Sequence, residues 1–109
     1  MATPNQILFA CEKKLQASIN RALPKRLTAN MKDDCEWMIE CSENNAMYGY
    51  EPHTLKQFSE CARQFIACYG SLGQQFIDLI ASIGWARCTE DRDYIQEKWS
   101  ALEQWAIAS

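Results

Sequence analysis

Residues 70–88 read GSLGQQFIDLIASIGWARC, and this stretch decides the fold. Leu72, Phe76, Leu79, Ile80 and Ile83 recur at steps of three and four, the period of one face of an α-helix. Gly70 suits the left-handed position that ends a preceding helix. Ser71 suits the cap of the next, which ends at Gly84 or continues through Trp85 to Cys88. This is the most apolar helix of the chain, so its expected place is the centre of a bundle.

Outward from it, the same period repeats. Upstream, Thr54 is read as a cap, and Leu55, Phe58, Ala62, Phe65 and Tyr69 form one stripe with Cys61 and Cys68 beside it. The short link at Gly70 implies an antiparallel hairpin of these two helices. Downstream, Thr89 is read as the cap of a last helix, with Glu90, Asp91 and Asp93 at its positive end. Its stripe is Ile95, Trp99, Leu102, Trp105 and Ala106, and Trp99 is expected to anchor it across the hairpin.

Near the amino end, Thr3-Pro4 starts a helix, because proline suits the first helical position. Leu8, Cys11, Leu15, Ser18, Ile19 and Ala22 make its buried stripe, and Pro24 stops it. A further helix is expected from about Thr28 to Asn45. Met31, Cys35, Met38 and Cys41 or Ser42 face inward, Trp37 lies to one side, and Asp33, Asp34, Glu36, Glu40 and Glu43 cover the rest. Residues 44–53, NNAMYGYEPH, hold Gly49 and Pro52 and read as a loop. The sum is an all-α compact bundle of about five short amphipathic helices, with residues 1–109 as a single domain.

Composition agrees. Apolar residues are 48% of the chain, far above the level of disordered chains, while four glycines, three prolines and no valine argue against an all-β domain. No basic start, long apolar run or small-residue cleavage site stands at the amino end, so a cytoplasmic setting with free thiols is expected, and no membrane. Charge is uneven. Lys13, Lys14, Arg21, Lys25 and Arg26 outweigh Glu12 in residues 1–26, whereas the remainder is strongly acidic and the whole chain carries −3.

Six cysteines, at 11, 35, 41, 61, 68 and 88, contain no CxxC pair. Zinc sites take their thiolates in such close pairs. Most of these cysteines fall on apolar stripes, where free cysteine packs as a small hydrophobe. Cys61 and Cys68 lie about 10 Å apart along one helix, too far for two ligands of one ion. Met31 and Met38 share the stripe of Cys35, and thioethers suit copper(I). His53 is the only histidine and sits in a turn with no evident partner. The Glu-x-x-His pairs of diiron bundles and the glycine-rich phosphate loops are absent. The reading is therefore no enzyme, no catalytic residue, no metal and no cofactor.

What remains is binding. The expected function is that of a small acidic protein-binding module, an inhibitor, adaptor or regulator of a partner protein, including one whose basic surface normally takes nucleic acid. Its partner-binding residues are Glu36, Trp37, Glu40, Met47, Tyr48 and Tyr50, because aromatic and methionine side chains are enriched at interface cores and acidic groups steer a basic partner. Self-association as a homodimer is a further expectation. The alternatives are nucleic-acid binding through the basic segment 13–26, disfavoured by the acidic helix beside it, and a thiol-rich metal-binding bundle.

Overall fold

The computed structural model describes residues 2–17, 31–48 and 52–108. It holds helices α1 Pro4–Ala17, α2 Met31–Tyr48, α3 Pro52–Tyr69, α4 Ser71–Arg87 and α5 Arg92–Ile107. No strand occurs among the described residues, so the bundle is all-α. The expected inward positions Ser18, Ile19 and Ala22, the stop at Pro24 and the start at Thr28 lie outside the described residues.

Helix α4 touches all four other helices, most extensively α2, and so occupies the centre. Its Phe76, Ile80 and Ile83 are fully buried. They join Leu15 and Cys11 of α1, Cys35 and Met38 of α2, Phe65 of α3 and Leu102 of α5 in one apolar cluster. Ring contacts run through it: Trp105 lies 5.7 Å from Phe76, Phe76 lies 5.8 Å from Phe65, and Phe65 lies 5.8 Å from Tyr69.

Close approach is what brings the neighbours of α4 this near. A Cβ added at Gly84 would stand 2.3 Å from Ser42 Cβ and 2.6 Å from the Ile39 carbonyl oxygen, and one at Gly73 would stand 2.5 Å from the Phe65 carbonyl oxygen. Gly84 therefore does not end the helix, which runs on to Arg87; it marks where α4 crosses α2. Gly70, the single residue between α3 and α4, has φ 64°, and its N–H donates to the Ile66 carbonyl at 2.7 Å.

Several boundaries differ from the sequence expectation. Helix α2 continues to Tyr48, because nothing before Gly49 is a strong breaker; residues 44–48 are helical and not loop. Helix α3 begins at Pro52, which needs no N–H partner in a first turn, so Thr54 is inside the helix and does not cap it. Gly70 holds the cap position of α4, with no side-chain cap, and Ser71 is the first helical residue. Asp91 caps α5, its carboxylate accepting from the N–H groups of Asp93 and Tyr94 at 3.0 and 3.2 Å. Thr89 instead donates its hydroxyl to the Ala86 carbonyl at 2.7 Å, closing α4. The cap of α1 is as expected and reciprocal: Thr3 Oγ1 accepts from the Gln6 N–H, and Gln6 Oε1 from the Thr3 N–H.

Helix α5 packs chiefly on α1 and α4, not across the α3–α4 hairpin. Leu102 is its fully buried residue, while Trp99 and Trp105 are half-buried. Lys14 of α1 reaches over to it. Its ammonium donates to the carbonyls of Trp105 and, at 3.1 Å, Ala108, and rests 4.4 Å from the Trp105 ring centre. A cation thus sits on the negative end of α5 and on an aromatic face.

Gly84→Ala is expected to cost about 1–3 kcal/mol, the usual range for overpacking, read as a lower urea midpoint with an unchanged slope. Lys14→Met keeps the stem but removes the charge. It is expected to speed amide hydrogen exchange in the last turn of α5 while exchange in α4 stays as it was.

Candidate functional site: the outer face of α2

Helix α2 reads MKDDCEWMIECSENNAMY and holds no basic residue after Lys32. Cys35, Met38, Ile39, Cys41 and Ser42 are buried, and Ser42 meets Gly84. Ile39 was not among the expected inward positions; it fills the gap between Cys35 and Ser42 on the same face. Fixing that side inward sends Asp33, Glu36, Glu40, Asn44 and Met47 to the other, at steps of three, four and seven. All five are exposed, Met47 by 48%. Along the axis, Glu36 and Glu40 are about 6 Å apart and Met47 lies about 10 Å beyond.

The sequence-based set is therefore only partly one surface. Glu36, Glu40 and Met47 share a stripe. Trp37 does not: it is half-buried and packs against the core cluster. Tyr48 ends α2, but its side chain, the whole of Tyr50 and the side chain of His53 lie outside the described residues. Glu43, at the edge of the stripe, pairs with Arg87 of α4 at 3.6 Å, with both side chains partly in solvent. Such a pair contributes little stability, roughly 0–1 kcal/mol. Beside it, the Cys88 thiol donates to the Glu43 carbonyl at 3.6 Å.

Trp85 is the residue that sequence reasoning missed. It is 56% exposed, next to the Gly84 crossing. The signal was present: Trp85 stands seven residues after Asp78, on the polar side of α4, but it follows Ile83 in an apolar run. Phe9 is also exposed and lies under Lys13 at 4.8 Å. Tyr94 lies under Lys98 at 5.1 Å.

The thiols are a separate feature. All six cysteines are free, and Cys11, Cys35, Cys41 and Cys68 are buried. Burial pushes the Cys11 thiol up to about 12 and the Cys61 thiol up to about 11. Cys35 is raised too, by burial first and then by the nearby Cys11, Asp34 and Cys61. Neutral thiols of this kind are poor nucleophiles. Among the described residues, no three of His, Cys, Asp and Glu are grouped to hold a metal ion, and no helix is long and apolar enough to cross a membrane.

Compared with known proteins, the chain matches no family model, no curated protein and no solved structure.

The raised thiols set an alkaline limit. An unfolded thiol ionises near 9.0, while the Cys11 thiol holds its proton to about 12. Between those values the folded chain binds protons that the unfolded chain has released, so stability falls as pH rises. Urea midpoints are expected to be flat up to about pH 8 and to drop steadily above pH 9. Cys11→Ala would make that drop shallower.

Proposed function

We propose that this chain acts by binding another protein through the outer face of α2, as an inhibitor, adaptor or regulator. The observation that carries the reading is the exposed row Glu36, Glu40 and Met47, on a helix with no basic residue beyond Lys32. Carboxylates without interleaved cations attract a basic surface over a Debye length, about 8 Å at physiological salt. Met47, flexible and polarisable, adapts to an apolar pocket. The partner this suits is one with a basic contact face, of the kind that otherwise meets nucleic acid. A mixed acidic and apolar contact gains association rate from charge and residence time from the apolar part.

Nucleic-acid binding is the weaker reading. Of the basic residues 13–26, Lys14 is spent on the carbonyl end of α5. Arg21, Lys25 and Arg26 lie outside the described residues. The acidic α2 would repel phosphates.

The test is affinity purification from the native host, comparing the wild-type chain with Glu36→Lys/Glu40→Lys and with Met47→Ala. A protein retained by the wild type should be lost with the double charge reversal, and its capture should weaken with added salt. Met47→Ala should shorten the residence time by roughly tenfold without changing that salt dependence. Equal capture by all three chains would overturn the reading, as would strong retention of the wild type on heparin.

A further inference from the structure

The start of α1 and the middle of α5 line a cavity of about 220 Å³. That is room for about seven waters, or for one ligand well below drug size. Its apolar wall is Pro4 and the buried Ile7 of α1 with the half-buried Trp99 of α5. Glu103, also half-buried, lines it one turn further along α5. No lysine or arginine lines it. The N–H groups of Thr3 and Gln6 are taken by their reciprocal cap, and Pro4 has none, so the start of α1 offers little to an anion there.

Other rings of the bundle set the comparison. Phe9, Trp105 and Tyr94 each carry a lysine ammonium, at 4.8, 4.4 and 5.1 Å from the ring centre. Among the described residues, no cation rests on Trp99 and no side chain pairs with the Glu103 carboxylate. Side chains four apart on a helix stand about 5–6 Å apart at Cβ. An aromatic face attracts a cation within about 6 Å of its centre. One cation in the cavity can therefore meet the ring and the carboxylate together. We propose that this cavity binds a small methylated ammonium ion, with its charge between the Trp99 face and Glu103 and its carbon against Pro4 and Ile7. A methylated head group suits the site because aromatic faces recognise quaternary ammonium ions, and it brings no N–H that the apolar wall would leave unsatisfied.

No residue of α2 lines the cavity, so this inference and the proposed function fail separately. The experiment is an amide NMR titration of the isotope-labelled chain with choline chloride. A second titration uses its uncharged carbon isostere, in which a tert-butyl group replaces the trimethylammonium. Choline should give saturable shifts at the amides of Ile7, Ser100 and Glu103 and at the Trp99 indole N–H. It should bind at least tenfold more tightly than the isostere. Glu103→Gln, which keeps the shape of the side chain, should weaken choline by about tenfold and leave the isostere unchanged. Trp99→Leu should weaken choline as well. Glu36→Gln/Glu40→Gln, which removes acidic charge elsewhere, should bind choline as the wild type does.

No saturable shift by choline would overturn the inference. So would equal affinity for choline and the isostere, unchanged affinity in Glu103→Gln, or shifts confined to Glu36 and Glu40 of α2. Trp99 packs against the core. If Trp99→Leu fails to fold, the comparison of choline with its isostere on the wild type still decides.

Discussion

The close crossing of α4 and α2 at Gly84 and Ser42 is the constraint on which the rest of the structure depends. With no Cβ at Gly84, the backbone of α4 can pass against Ser42 and the Ile39 carbonyl. That contact fixes how α2 is rotated. Once Ser42, Ile39 and Cys35 are turned to α4 and the core, Glu36, Glu40 and Met47 have nowhere to go but solvent. The acidic face is thus a result of packing on its opposite side. The contact of Met38 with Cys61 of α3 has the same origin, since Met38 shares the buried side of α2.

Much of this was legible in the chain itself. The 3.6-residue period placed five helices and identified Phe76, Ile80, Ile83 and Phe65 as core, because apolar spacing is a local property. Caps were read less well. Ser, Thr and Asp compete for the same role, and Thr89 against Asp91 is decided by where the helix axis turns. The extent of α2 past Asn45 was missed because asparagines weaken a helix without breaking one, and no strong breaker stands before Gly49. Pairings between helices were the least legible. That α5 would pack on α1, with Lys14 on a carbonyl 91 residues away, is a long-range pairing that no local pattern encodes.

The candidate surface divides along the same line. The exposure of Glu36 and Glu40 was legible because charge on a helix stays in solvent unless something compels burial. Trp37 was expected beside them, yet its ring finishes the core, as large aromatics tend to do when one flank is apolar. Trp85 shows the converse. It sits in the most apolar segment, but the helical rotation that brings Gly84 against α2 turns the next residue away from the core.

The hook that Lys14 makes on α5 has an entropic meaning. The α3–α4 hairpin closes over a single residue, whereas the α1–α5 joint brings together groups 91 residues apart in the chain. Closure entropy grows with the logarithm of that separation, so the two outer helices meet at the greatest entropic cost in the fold. Against that cost stand the fully buried Cys11 and Leu15 of α1 and Leu102 of α5, which tie both helices into the core. The long loop is thus closed by core burial as well as by the hook.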